Sequence, residues 1–512
     1  MRKSHKFIHG AGDELARHIC PFKVCSAQPE RKSGAYLFLS CAIVTKSKNK
    51  KYLAMRSKLC RFKLISSASL IIALVMCLSS CSGIYFEGLS TPDIYKISRD
   101  QYQEKLEGFW LGQNIANWTG LITEMDKVGT PQTMPFYTDS DWGARDQVAM
   151  WGEYVPHATH IDFYLQSPEI PWGSDDDTDI EYMYLHLHHS LEASKLSAKQ
   201  IQQGWLTHIY SEEDAPLYKK FADSVPQKEN FLWESNQQAR ILMEQGVLPP
   251  HTSDPAHNIK YNRIDAQLTT EIFGLMAPGR PDIALDIAYL PITATARYDA
   301  QWIAEFYVVM HSLAAVVDSD KSLKQQTQWL AEQASQRLPV GSTSAAVYRF
   351  VKDHYQNNPD KSDWESTRDA IYKRYQLDSN DGYQYSQPFD AVINFAASLV
   401  SLFYGEGDIM RTIQIGTLVG WDSDNPTATW GGLLGFMLGH QELKKTFNIT
   451  AVSDTYWIHR TRRNFPDLTP SKPGENSFYG MAQMGLDVID RLIFERAGGS
   501  YDADSGYWFW KK

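Results

Sequence analysis

Apolar residues recur at helical spacing along most of the chain from residue 97 onward. Intervals of three and four residues place them on one face of successive helices. Strand-like alternation is scarce, and no internal repeat is visible. The pattern therefore predicts an all-α fold. Representative stripes are Tyr102, Leu106, Phe109 and Trp110; Ile180, Met183, Leu187 and Leu191; Ile283, Ile287 and Leu290; Trp302, Ile303, Phe306, Val309 and Met310; and Leu399, Leu402 and Phe403.

The helical pattern is interrupted only by short turns. Proline marks them at residues 249–250, 278–281, 358–359 and 470–473. None of these turns is long enough to be a flexible linker between domains. The sequence therefore predicts one large compact helical domain, which spans residues 96–512 and can bury a sizeable core.

The beginning of the chain has the order of a secretory signal. Residues 55–63 are basic, and residues 64–78 form an apolar run that is short for a transmembrane helix. Small residues then precede Cys81. This arrangement resembles the signal of bacterial lipoproteins, in which such a cysteine carries the lipid anchor. The alternative is a plain secretory signal with an incidental cysteine.

The signal divides the chain into four predicted segments. Residues 1–54 are a mis-called or unstructured extension, 55–80 the lipoprotein signal peptide, 81–95 a tether, and 96–512 the helical domain. Ser82 follows the cysteine where an aspartate would disfavour the outer membrane. We therefore expect a cell-envelope protein, lipid-anchored at Cys81 to the outer membrane of a Gram-negative bacterium, with no other membrane contact.

Charge and cysteine content narrow the function further. The net charge is -10, which argues against a nucleic-acid partner bound through a basic face. All six cysteines lie at or before position 81. The helical domain therefore has no disulfide, no thiolate metal site and no cysteine nucleophile. We expect a monomer.

Two acidic loops stand out as candidate chemistry. The first contains Asp175, Asp176, Asp177 and Asp179, and the second contains Asp422, Asp424 and Asn425 in the range 420–427. Helix capping explains one or two carboxylates at a helix start, but not four. If both loops converge, like charges raise one another's pKa and a cation is needed. All-oxygen ligands favour Mg²⁺, Mn²⁺ or Ca²⁺ over Zn²⁺.

Three motifs in order resemble those of the ADP-ribosylglycohydrolase family. Residues 175–178 match its Thr-Asp-Asp-Thr loop, and residues 420–425 match its Gly-Gly-Asp-Thr-Asp-Thr/Ser loop. Residues 111–124 match its opening helix, Leu-Gly-x-x-x-Gly-Asp-x-x-Gly-x-x-x-Glu. The family includes enzymes that remove ADP-ribose from arginine or serine, and the one that reactivates dinitrogenase reductase.

The resemblance implies a fold, a cofactor and a set of site residues. The fold would be the family's compact all-α bundle with two Mg²⁺ ions, for which Mn²⁺ could substitute. Glu124 would be the catalytic residue near the scissile bond, unless it is merely a solvated glutamate at a helix end. The metal ligands would be Asp175, Asp176, Asp177, Asp422, Asp424 and Asn425.

The chain departs from the family at several positions. Asp175 and Asn425 replace threonine or serine, Asn117 replaces an aspartate, and residues 264–267 replace the family's Asn-Gly-Ala segment. Candidate substrate-binding residues are Asn117, Asp265, Gln267 and Trp421. For Asp265 and Gln267, a buried polar pair in the core is an equally good interpretation.

These inferences lead to one leading function and two alternatives. We expect a divalent-metal-dependent glycohydrolase that cleaves a ribosyl-type bond, with ADP-ribose on a protein or small molecule as the best substrate. The second reading is a hydrolase of another glycoside or nucleoside. The third is a non-catalytic lipoprotein that binds metal and ligand without turnover.

Overall fold

The computed structural model describes residues 93–211, 230–378 and 382–512. They belong to one compact unit, Gly88–Lys512. Fifteen α-helices and six short strands occur in these ranges, which confirms the prediction of one all-α domain. The predicted signal peptide, Cys81 and most of the tether lie outside the described residues, so the segment boundaries stay predictions. None of the described helices is both long and apolar enough to cross a bilayer.

The helices follow one another with short connections. In the described ranges they are α1 (Arg99–Gly120), α2 (Asp176–Ser190), α3 (Ala198–His208), α4 (Glu234–Glu244), α5 (Ile272–Met276), α6 (Pro281–Thr295), α7 (Asp299–Ala314), α8 (Leu323–Ser335), α9 (Thr343–Asn357), α10 (Glu365–Ile371), α11 (Ala391–Gly405), α12 (Ile409–Leu418), α13 (Asp424–Leu438), α14 (His440–Thr446) and α15 (Phe478–Glu495). A π-helical turn, Tyr372–Asp378, extends α10.

Helices α1 and α13 form the centre of the bundle. Glycines on one helix face the backbone of the other, with Gly108 and Gly112 against Gly431 and Gly435. A Cβ added at any of these four positions would collide with main-chain atoms or a side chain of the opposite helix. Each glycine costs about 1 kcal/mol of helix propensity, and the close backbone contact offsets that loss.

Two small sheets tie distant parts of the chain together. Strands β1 (Ile94–Ser98), β5 (Ser500–Asp502) and β6 (Tyr507–Lys511) form an antiparallel sheet in the order β1-β6-β5. Its inner side carries the buried Trp508 and Trp510. Strands β2 (Trp172–Gly173), β3 (Thr455–Trp457) and β4 (Asn476–Ser477) form the second sheet, in which β2 and β3 are parallel.

Candidate metal centre

Three helix ends meet at one point of the bundle. Helix α1 ends at Gly120 and the turn after it carries Glu124, while α2 and α13 both begin with acidic residues. The Ser423 hydroxyl donates to the Gly120 carbonyl over 3.0 Å, which fixes the start of α13 against the end of α1. The N-termini of α2 and α13 carry partial positive charge, so carboxylates are favoured there.

The loop before α13 has a strained backbone. Trp421 has a φ of 57°, a conformation that only glycine adopts readily, and Gly420 precedes it at 100°. The Trp421 N–H donates to the Lys127 carbonyl over 2.8 Å, and its own carbonyl accepts from Met125 N–H over 3.0 Å. These two bonds hold the second acidic loop beside the segment that carries Glu124.

The convergence of the two acidic loops is present in the structure. Glu124, Asp422 and Asp424 each offer an oxygen within 4.8 Å of the others. Asp175, Asp176 and Asp424 form a second group by the same measure. We call these five residues the carboxylate cluster. Its two groups overlap at Asp424, so two neighbouring cations could share that residue.

Crowding and burial change the acidity of the cluster. Burial raises the pKa of Glu124, Asp176 and Asp422 well above the usual range, and neighbouring carboxylates raise each further. Burial also raises the pKa of Asp424 to about 6, and Asp175 adds to the rise. The five carboxylates therefore resist ionising together in the absence of a compensating positive charge.

The donor set of the cluster fits a hard divalent cation. Oδ2 of Asp175 and Oδ1 of Asp424 are buried, and neither has a hydrogen-bond partner in the described parts of the chain. Oδ1 of Asn425 is likewise buried and has no hydrogen-bond partner in the same described ranges. Buried oxygens without a partner are costly, and coordination of a cation would satisfy them. All these donors are oxygens, which Mg²⁺, Mn²⁺ and Ca²⁺ prefer.

Asp177 lies at the inner edge of the cluster and is held by two amides. Its Oδ2 accepts from Asn117 Nδ2 over 2.5 Å, and its Oδ1 accepts from Asn425 Nδ2 over 3.4 Å. Burial raises the pKa of Asp177 well above the usual range, and the charge of Asp424 raises it further. Asn117 is fully buried, and the side chain that it contacts is Asp177, a predicted metal ligand. The substrate-binding role of Asn117 stays a prediction.

Asp265 lies near the carboxylate cluster on another side. Its negative charge contributes to the raised pKa of both Asp176 and Asp422. Asn236 N–H donates to its Oδ1 over 2.9 Å, whereas its Oδ2 is buried without a partner in the described residues. Burial raises the pKa of Asp265 to about 6. Its place agrees with a residue that lines a substrate pocket, a role that stays a prediction.

Gln267 and Trp421 have contacts of another kind. Gln267 is fully buried, and its Nε2 donates to the Ala391 carbonyl over 3.2 Å. Trp421 is also fully buried, packs on Phe136 and donates its indole N–H to Gln376 over 2.8 Å. Both side chains are thus enclosed in the core, and their substrate-binding roles stay predictions without support from these contacts.

Sequence reasoning missed two residues that contact the centre. Asn394, on α11, accepts the Asp422 N–H at its Oδ1 over 3.2 Å. Arg460 follows β3, and its Nη1 lies 3.6 Å from Asp175 Oδ1. The parallel pairing of β2 with β3 brings the residues after both strands to the same edge of the sheet. Such short strands, far apart in sequence, leave no periodic signal in the chain.

Comparison with known proteins gives one clear match. The sequence profile of the ADP-ribosylglycohydrolase family matches residues 98–473, which is more than half of the chain and includes Glu124 and both acidic loops. One similar solved structure is a chain of an "ADP-ribosylglycohydrolase-related protein complex", with 12% sequence identity and a TM-score of 0.39. That similarity covers 76% of this chain and 98% of the other. No curated protein sequence matches the chain.

Proposed function

Because the chain belongs to the ADP-ribosylglycohydrolase family, we propose that it is a divalent-metal-dependent glycohydrolase acting on a ribosyl-type bond. ADP-ribose attached to a protein or a small molecule is the proposed substrate. The observation that carries the proposal is the meeting of Glu124 with the two acidic loops in overlapping carboxylate groups.

Two Mg²⁺ ions are the proposed cofactor, and Mn²⁺ is a substitute of the same chemistry. Such ions would supply positive charge that could position sugar hydroxyls and make an attacking water more acidic. Asn117 and Asn425 supply the amides that orient Asp177 within the set. The proposed ligands are Asp175, Asp176, Asp177, Asp422, Asp424 and Asn425.

Glu124 is the proposed general base. It is half-buried, whereas Asp422 and Asp424 in the same group are buried, so its carboxylate lies at the more open side. Burial raises its pKa well above the usual range, so it is a stronger base than an ordinary carboxylate. Asp265, with one oxygen free of partners in the described residues, is proposed to accept a hydrogen bond from a sugar hydroxyl.

Release of free ADP-ribose tests the proposed activity. The substrates are an ADP-ribosylated protein and ADP-ribosyl-arginine, each assayed with Mg²⁺ and with a chelator. We expect release with Mg²⁺, and background levels with the chelator or in the Asp422→Asn variant. Asp454→Asn is the matched control, because Asp454 is an exposed aspartate paired only loosely with Lys472, 3.6 Å away.

The same assay separates the alternatives. Release from other glycosides or nucleosides, and none from ADP-ribosylated substrates, would favour the hydrolase of another substrate. Metal-dependent ligand binding without release of any product would favour the non-catalytic lipoprotein.

We propose that the protein is anchored to the cell envelope through Cys81. The basic stretch, the apolar run and the small residues before this cysteine support the proposal. A lipid chain contributes about 0.8 kcal/mol per buried CH₂ group, so several chains on one residue anchor firmly. Labelling with a fatty-acid analogue and membrane fractionation test this. Both signals should be lost in Cys81→Ser, and a labelled Cys81→Ser protein would contradict the anchor.

A further inference from the structure

Two arginines place positive charge next to the carboxylate cluster, and only one is accessible. Both Arg460 and Arg462 lower the pKa of Asp175, which burial otherwise raises. Arg462 is fully buried, and its Nη2 lies 2.8 Å from Asp179 Oδ2. Its guanidinium also donates to the carbonyls of Asn230 and Phe231. Arg462 therefore has a structural role and is not accessible to a ligand.

Arg460 has a different environment. Its Nη1 donates to the Ser174 carbonyl over 2.5 Å and lies 3.6 Å from Asp175 Oδ1. Its guanidinium lies over the ring of Trp118, with Cζ 5.3 Å from the ring centroid. The Trp118 indole N–H donates to Gly173 over 3.1 Å, so this platform is fixed to β2. The guanidinium is therefore held at a defined place beside the cluster.

The Arg460 side chain is partly exposed and has N–H groups without an acceptor among the described residues. The side chain is 18% exposed. In the described parts of the chain, no hydrogen-bond acceptor is assigned to its Nε or Nη2. These two N–H donors lie side by side on one edge of the planar group, which is the edge that binds phosphate oxygens in bidentate fashion.

We infer that Arg460 binds a phosphate group of the substrate at the rim of the metal centre. The inference rests on the proposed function and deepens it, because it assigns a phosphate contact of the proposed substrate to a specific residue. The carboxylates of the cluster and Asp265 offer a ligand only acceptors, so the N–H donors for a phosphate must come from another residue. Arg460 supplies two of them, beside Asp175.

Ligand titration of the full-length, Mg²⁺-loaded protein tests the inference. The probes are ADP-ribose, ribose 5-phosphate and ribose, and the variants are Arg460→Gln and Arg460→Lys. We expect Arg460→Gln to lower the affinity for both phosphorylated probes about tenfold or more. Its affinity for ribose should stay within about twofold of that of the unchanged protein. Arg460→Lys should fall between, since lysine keeps the charge but not the bidentate edge.

Two controls isolate the phosphate contact. Arg496→Gln removes an arginine that pairs with Asp286 over 2.6 Å on the surface, and should bind all three probes like the unchanged protein. Titration of Mg²⁺ alone into each variant shows whether the metal centre is intact, because Arg460 also contacts Asp175. The comparison of probes is made at Mg²⁺ concentrations that saturate every variant.

The possible outcomes separate this inference from the proposed function. If Arg460→Gln binds the phosphorylated probes as tightly as the unchanged protein, the phosphate-binding role of Arg460 is overturned and the proposed function still stands. An equal loss for ribose and ribose 5-phosphate would also overturn that role, because the effect would then come through the metal centre. If the unchanged, metal-loaded protein binds neither ADP-ribose nor ribose 5-phosphate, both proposals fail together.

Discussion

Asp424 differs from the other acidic residues of the centre because it belongs to both carboxylate groups. Its charge also contributes to the raised pKa of both Asp177 and Asp422. Asp175, by contrast, belongs to one group and stands where the family has a neutral threonine. We therefore expect Asp424 to contribute more to metal binding than Asp175 does.

Substitution at these two positions should have unequal effects on metal affinity. Asp424→Asn removes a charge that both groups share, so calorimetric titration should detect no Mg²⁺ binding. Asp175→Thr restores the residue typical of the family, and should keep binding within about tenfold of the unchanged protein. Asp504→Asn, an exposed aspartate in a turn, is the control. Equal losses at positions 175 and 424 would contradict the shared role of Asp424.

A second pair of acids lies in the core behind the centre. Glu181 and Glu271 are buried, and each carboxyl affects the pKa of the other. Gln113 Nε2 donates to Glu181 over 2.6 Å, and the Thr429 hydroxyl donates to Glu271 over 2.7 Å. Burial raises the pKa of Glu271 from 4.5 to about 7. Both carboxyls therefore hold their protons at higher pH than exposed glutamates do.

The raised pKa of Glu271 predicts a pH-dependent contribution to stability. The folded protein binds this proton more tightly than the unfolded chain, so the contribution is complete below pH 4.5 and is lost as the pH rises through about 7. In Glu271→Gln the side chain at position 271 is neutral at every pH and does not titrate. Between pH 5 and 8 the unchanged protein should lose on the order of 3 kcal/mol more unfolding free energy than the variant.

Denaturant titration in the presence of chelator measures this difference. Glu442→Gln, at an exposed glutamate of α14, should follow the pH dependence of the unchanged protein. Identical pH dependences for Glu271→Gln and the unchanged protein would show that Glu271 does not titrate in this range.

At the scale of elements, the close contact between α1 and α13 predicts that a glycine-to-alanine substitution there destabilises the fold, which is opposite to the effect expected from helix propensity. An alanine usually stabilises a helix by about 1 kcal/mol relative to glycine. At Gly435, however, the new Cβ would collide with the Gly108 carbonyl oxygen, which belongs to the backbone and cannot turn aside. We expect Gly435→Ala to lower the unfolding free energy by about 1–3 kcal/mol in denaturant titration.

Helix α15 provides the matched glycine. A Cβ at the buried Gly485 would meet only Leu106 Cδ1, at 3.0 Å, and the end of a leucine side chain can move. Gly485→Ala should therefore be neutral or stabilising. A similar destabilisation at both positions would mean that the backbone contact of α1 with α13 is not what requires glycine.

These elements also show what the sequence could and could not predict. The helices were predictable because their apolar stripes are local, and the close packing of α13 was predictable because its glycines are otherwise unfavourable. The two acidic loops were recognisable because they carry more carboxylates than capping needs, whereas Glu124 was expected only from the resemblance to the family. The pairing of β1 with β6, and the place of Arg460, depend on contacts between strands of two to five residues hundreds of positions apart. Such strands carry too few residues for a pattern.

At the scale of the whole molecule, the centre joins parts of the chain that are far apart in sequence. Glu124 follows α1, Asp175 and Asp176 precede and begin α2, and Asp422 and Asp424 precede and begin α13. A cation bound by all three segments therefore favours the folded state, in which alone they meet. The same cation relieves the repulsion that their burial creates.

This linkage predicts that Mg²⁺ raises the thermal stability of the unchanged protein and has little effect on Asp424→Asn. A ligand at a hundredfold excess over its Kd adds about 2.7 kcal/mol, which shifts the melting temperature by several degrees in a domain of this size. The measurement is a melting series in Mg²⁺ from chelator to millimolar concentration. A parallel series in NaCl at the same ionic strength accounts for screening of the negative charge. If NaCl reproduces the shift, or if Asp424→Asn shows it in full, the stabilisation comes from general screening and not from a cation shared by the three segments.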